Sequence, residues 1–197
     1  YLERTDDIET VRKLWPNILA ALSWMDVSGD RDGDGFIEYG RRRDTGLINQ
    51  GWKDSHDSIF HADGTLAHGP VALVEVQAYA FGAWQAAALI ARRLGDTNAA
   101  DGYAERAKGL QERFDVAFFD KALGTYVLAL DGDKRPVAVP TSNGTNLRCL
   151  TLSEVKPPCV LGPADAPGRA AWPARVMAAR PSPASPKASR RVRCRRM

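Results

Sequence analysis

The chain of 197 residues is long enough to bury one core. It contains no apolar run near the ~20 residues that span a bilayer, so no membrane partner is expected. Lys and Arg number 27 against 24 Asp and Glu, but eleven of the basic residues and only two acidic ones, Glu154 and Asp165, follow Thr145. An acidic body therefore precedes a basic tail. Cys149, Cys159 and Cys194 all fall in that tail without close pairing, which argues against a disulfide framework or a zinc knuckle and for a reducing compartment. Tyr1 to Thr10 lacks the apolar centre of a signal peptide, so a cytoplasmic location is expected. The first residue is Tyr rather than Met, so an upstream segment is also expected.

From Asp6 to Met25, Ile8, Val11, Leu14, Trp15, Ile18, Leu19, Leu22 and Met25 step by three and four, which predicts an amphipathic helix used for packing. Thr5 or Asp6 is the expected cap, and Pro16 is expected to kink or restart the helix near Trp15. The next stretch, SGDRDGDGFIEYGRRRDTG, is rich in Gly and Asp and reads as a loop. Asp30, Asp32, Asp34 and Gly35 match the opening of a calcium loop, where alternate side chains converge on one cation. Phe36 could offer its carbonyl, and Glu38 stands ninth. Arg41 occupies the twelfth position, where an EF-hand needs a bidentate Glu. That leaves a single oxygen-ligated calcium stapling the loop, or a plain turn whose carboxylates cap local amides.

Arg43 to Val76 concentrates Trp52, Lys53, Asp54, His56, Asp57, His61, Asp63 and His68 on a loop. The histidines, spaced by five and seven, do not share a helical face and lack the company of a zinc motif. Ser55 and Ser58 lack the glycines of a nucleophile elbow. A carboxylate chemistry fits better. Trp52 can form an apolar platform for a sugar ring and, by desolvating Asp54, would raise its pKa towards proton donation. Glycoside hydrolysis needs two such carboxyl groups, and a solvated loop carboxylate remains the alternative for Asp54.

Pro70 to about Leu94 is apolar almost all round, predicting a helix buried on several sides; Glu75, Gln77 and Gln85 are exceptions that need polar partners or a ligand. Gly95 reads as its C-cap. A second helix from Asp96 or Thr97 to about Phe118, with Ala100, Tyr103, Ala104, Ala107, Leu110 and Phe114 on one face, completes a helical hairpin. Thr125–Leu130 and Val137–Val139, joined through DGDK, predict a β-hairpin. From about Gly144, Pro, Ala and Arg crowd a run without periodicity, expected to be disordered and foreign to the fold, as out-of-frame translation of a GC-rich gene would produce. Its single aromatic, Trp172, gives no support to base stacking, so a nucleic-acid partner is not expected.

The run GLINQGWKDSHDSIFHADGTLAHGPVALVEVQAY resembles bacterial amylo-alpha-1,6-glucosidases, the glycogen-debranching-type members of the six-hairpin glycosidases. LWPNILAALSWMD, GDRDGDGFIEY and LALDGDKRPVAVPTSN resemble the same family, and the likeness extends from Tyr1 to about Asn143. It implies an all-α fold, part of an (α/α)6 toroid with a small β-hairpin over residues 1–145, followed by the basic tail at 146–197. It also implies inverting hydrolysis of α-glucosidic linkages in an α-glucan or oligosaccharide. In related enzymes the acid is an aspartate in a Gly-Trp-Asp-like segment. The matching run is Gly51-Trp52-Lys53-Asp54, which makes Asp54 the candidate acid and Asp57 its competitor. Tyr39, Gln50, Trp52, Lys53, His56, Asp57 and His61 are the candidate sugar-binding residues. Some relatives hold calcium in a loop like DRDGDGFIE, so a structural calcium on Asp30, Asp32, Asp34, Phe36 and Glu38 is the one cofactor considered, and none is required for the reaction. The general base is a glutamate beyond TSN, where the likeness stops; Glu154 does not inherit that role. The chain alone is expected to be inactive, and the alternative is a calcium-stapled carbohydrate-binding module.

Overall fold

Asp7, rather than Thr5 or Asp6, starts the first long helix, because Asp6 is already used. Helix α1 (Leu2–Thr5) ends on Asp6 in the left-handed region (φ 53°), and Asp7 then accepts a hydrogen bond from the Thr10 amide at 3.0 Å to cap α2 (Ile8–Trp24). The structure, a computed structural model, describes residues 1–141; the basic tail, the cysteines and Glu154 lie outside the described residues. Helix α2 runs through Pro16 without a restart. Pro16 and Arg12 both lie on the exposed face, where water can satisfy the Arg12 carbonyl that proline leaves without its helical donor. The apolar stripe divides: Val11 and Leu22 are buried with Trp15, Ile18 and Met25 packed beside them, while Leu14 and Leu19 face outward. A π-helical turn, Met25–Gly29, leads into the Asp/Gly loop.

Strand β1 (Ala72–Leu73) stands where the first turn of a helix from Pro70 was expected, and α3 (Val74–Leu94) begins after it. Val71 bridges Tyr39, and β1 pairs antiparallel with later residues, so these amides are committed to strand bonds. Val71 to Val74 are all buried, a pattern that suits a strand covered on both faces better than a helical turn. Gly95 closes α3 at φ 90°, a left-handed position that glycine adopts without a Cβ clash. Asp96 caps α4 (Thr97–Phe118) by accepting from the Ala99 amide at 2.9 Å.

The single expected strand Thr125–Leu130 is two. β2 (Phe119–Asp120) pairs with β3 (Thr125–Tyr126), whereas β4 (Ala129–Leu130) joins β1 and β5 (Pro136–Val137) in a three-stranded antiparallel sheet with β4 at its centre. The break falls at Val127, whose amide donates to the Phe118 carbonyl at 2.9 Å. Among the described residues the fold is thus helix-rich with small antiparallel strands, as part of a helical toroid requires. None of the described helices is long and apolar enough to cross a membrane.

Two apolar clusters hold these elements. The larger joins α2, α3 and α4 through Leu22, Phe81, Trp84, Leu110, Phe114 and Phe118; Phe36 meets Phe118 edge-on at 5.1 Å and Phe114 stacks on it at 5.0 Å. The smaller, of Ile59, Ala67, Val71, Leu73, Leu128, Ala129 and Val137, lies beneath the loop that carries the candidate acid. Gln77, one of the polar residues expected to need polar partners or a ligand, is a structural clamp with internal partners. It is fully buried, accepts from the Ile37 amide (2.8 Å), and donates to the carbonyls of Ile37 (2.8 Å) and Leu73 (3.0 Å). Its partners are internal, so burying it costs little.

Candidate active site

The loop after Tyr39 has little regular structure, and side chains rather than ladders fix its path. Asn49 is 3% exposed and is its hub. Its Oδ1 accepts from the Tyr39 hydroxyl (3.0 Å), while Nδ2 donates to the Ser55 carbonyl (2.6 Å) and to Ser58 Oγ (3.2 Å). Ser58 Oγ in turn lies 2.8 Å from the Lys53 carbonyl, to which it can donate. The carbonyls of Lys53 and Ser55, immediately before and after Asp54 in sequence, are therefore both pinned. Gly51 lets this segment approach the strand below, because a Cβ there would overlap Leu73 Cδ1, which sits in the smaller core. Burial pushes the Tyr39 hydroxyl up to about 12, so it stays a proton donor to Asn49 at neutral pH.

Asp54 itself is exposed, as are Gln50, His56 and Asp57; Lys53 and Tyr39 are half-buried. Trp52 is 74% exposed, so within the described residues it does not supply the apolar enclosure that would desolvate Asp54. Asn49→Ala would leave the Tyr39 hydroxyl without its acceptor and take one donor from the Ser55 carbonyl. A loss of about 1–3 kcal/mol in unfolding free energy is expected, measured by urea denaturation.

His61 turns inward. Its Nε2 lies 3.1 Å from Oδ2 of Asp131, which is fully buried. Asp131 also accepts from the amides of Asp133 (3.0 Å) and Arg135 (2.9 Å) and from Arg135 Nε (3.0 Å). His68 meets Asp133 at 3.2 Å, and its carbonyl accepts from the Gly132 amide at 2.8 Å. These two histidines join the candidate loop to the turn between β4 and β5, while His56 is exposed. Burial alone would raise the Asp131 pKa, but the hydrogen bonds from Arg135 and Asp133 outweigh it and hold the carboxyl below its ordinary 3.8. A depressed carboxylate contributes stability that is present above 3.8 and lost as pH falls through the folded value. Urea midpoints should therefore drop below about pH 4, and Asp131→Asn should flatten part of that drop.

The acidic loop forms a second constellation. Asp30 accepts from the amides of Gly33 (2.8 Å) and Gly35 (2.9 Å), Asp32 from Asp34 (3.3 Å), and Asp34 from Phe36 (2.8 Å). One ligand atom from each of Asp30, Asp32 and Asp34 falls within a 4.8 Å group, an oxygen set of the type calcium takes. Phe36 directs its ring into the larger core. Between the carboxylates, however, stands Lys134 Nζ, at 2.7 Å from Asp32, 2.6 Å from Asp34 and in direct contact with Glu38. As arranged, these residues do not fit the ion, because an ammonium fills the space it would use.

Asn49, Asp131 and Lys134 were not among the residues that the sequence singled out, and Ser58 was weighed there only as a nucleophile. The only signals for them were an amide before Gly51-Trp52 and the DGDK turn.

Asp54 is thus an exposed carboxyl on a braced loop, two positions after an aromatic residue in sequence and open to a ligand. No curated protein matches the chain. A family model described as the mannosylglycerate hydrolase MGH1-like glycoside hydrolase domain matches residues 1–174, a span that runs past Asn143. With most of its length covered by that match, the chain belongs to the MGH1-like glycoside hydrolases, and carbohydrate is its substrate class.

Proposed function

We propose that Asp54 is the general acid of an inverting glycosidase that cleaves α-glucosidic linkages, with branch-point α-1,6 bonds as the favoured substrate. The observation that carries this reading is the bracing of the Lys53 and Ser55 carbonyls by Ser58 and Asn49, while the intervening carboxyl remains exposed to a ligand. A catalytic acid needs such a fixed backbone, since small misplacements of a reacting group carry large rate penalties. In this proposal Trp52 is the sugar platform, Gln50, Lys53, His56 and Asp57 line the pocket, and Tyr39 and His61 support it from behind. The partner is an α-glucan or oligosaccharide.

An inverting site leaves ~6.5–9.5 Å between its two carboxyl groups for the attacking water. The proposal places the base on a glutamate from helices beyond those described, so residues 1–141 alone would bind sugar without turnover. Those helices would also cover the α3 stripe of Tyr79, Gly82, Ala86 and Leu89, which is exposed here.

The character of the matched family favours a second substrate, a small glycoside such as mannosylglycerate. Both can be tested with the chain completed by family helices that close the toroid. Glucose release from panose or a limit dextrin supports the α-1,6 reading. Turnover of mannosylglycerate alone would replace the substrate and keep the acid. Sugar binding with no turnover of any of these would overturn the hydrolase reading in favour of a binding module.

A further inference from the structure

The spacing of Asp30, Asp32, Asp34 and Gly35 is that of a calcium loop, yet the position a cation would take is filled by this chain's own side chain. We infer that Lys134 is a built-in cation that replaces a divalent metal in the Asp30–Glu38 loop, leaving a latent calcium site that opens only when the lysine is removed.

Three features carry the inference. The first is a match of donors to acceptors: an ammonium has three N–H donors, and Lys134 meets three carboxylates, those of Asp32, Asp34 and Glu38. The second is delivery. Lys134 sits at φ 61° in a turn fixed without help from the acidic loop, since its own amide donates to the Asp131 carbonyl at 2.9 Å, the Asp131 amide donates to the Arg135 carbonyl, and the Asp131 carboxylate accepts from the Arg135 amide. The ammonium is thus brought to the carboxylates by the fold. The third is burial. The Glu38 side chain is fully buried, with Oε2 lacking a hydrogen-bond partner among the described residues, so its charge depends on the lysine for compensation. A metal in such a loop would bridge its carboxylates; Lys134 does the same and also ties the loop to the turn between β4 and β5. Calcium and an ammonium cannot share these oxygens, because both need the same lone pairs and repel each other at that range.

The test is calcium titration of the full 197-residue chain after chelator treatment, by calorimetry and thermal melting, beside Lys134→Met and Lys134→Arg. The wild type should give no binding heat up to millimolar calcium and the same melting midpoint with EDTA or calcium. Lys134→Met should melt lower by more than about 5 °C in EDTA and regain much of that loss in calcium, with a Kd of roughly 10⁻⁵–10⁻³ M. Lys134→Arg should remain blind to calcium. Stoichiometric calcium binding by the wild type would overturn the inference, as would a Lys134→Met protein with an unchanged midpoint and no calcium response. Should Lys134→Met be unfolded in EDTA, folding on calcium addition supports the inference. If it folds in neither condition, the wild-type titration decides.

Discussion

Asp54→Asn is expected to lower kcat of the completed hydrolase by about 10²–10⁴-fold, the usual contribution of a positioned general acid. KM should change little, because the amide keeps the size and polarity of the carboxyl and loses only the proton to donate. The fold should not notice. Asp54 is exposed, and the bonds that shape its loop run through Asn49, Ser58 and two backbone carbonyls, so the change in unfolding free energy should stay within about 0.5 kcal/mol. Asp57→Asn is the necessary companion. A loss at Asp57 equal to or larger than that at Asp54 would transfer the acid's role to Asp57. Steady-state kinetics on an α-1,6-linked trisaccharide, with circular dichroism as the check on folding, make the comparison.

The largest stability effect is expected at Phe118. Its side chain is fully buried where α4 ends, stacked with Phe114 and met edge-on by Phe36 from the acidic loop. Its carbonyl also takes the Val127 amide, so the chain reverses direction around this residue. Phe118→Ala should cost about 3–5 kcal/mol, because the cavity lies between a helix and two loop segments that cannot all collapse into it. Urea denaturation followed by far-UV dichroism measures this directly. A cost below about 1 kcal/mol would mean that the Phe36–Phe114–Phe118 cluster is not the joint that it resembles.

The helices were legible in the sequence because their stripes and caps are local. Gly95 and Asp96 mark the α3–α4 turn where glycine freedom and side-chain capping require it, and Val11, Trp15, Ile18 and Leu22 keep helical spacing. Pairing between distant segments was not legible. Nothing local in Val71-Ala72-Leu73 separates a buried strand from the first turn of an apolar helix; the deciding partner, Ala129–Leu130, lies more than fifty residues away. The same holds for Gln77, whose need for a polar partner was legible but whose partner Ile37 lies forty positions away.

At the site, spacing identified the carboxylates and the aromatic side chain but could not reveal what braces them. Asn49 works through a serine carbonyl and two hydroxyls, and the internal partner of His61 is seventy positions distant at Asp131. Lys134 is the sharpest case. The acidic loop reads as a cation site, and only the fold shows that a lysine from another part of the chain pairs with its carboxylates.

The central claim, that Asp54 supplies the leaving-group proton, is tested most directly by changing how much the leaving group needs one. The completed hydrolase and its Asp54→Asn variant would be compared on an α-1,6-linked glucoside and on α-glucosyl fluoride, whose fluoride departs with little protonation. The account predicts a loss of about 10²–10⁴-fold on the glucoside and of no more than about tenfold on the fluoride. Equal losses on both substrates would contradict it.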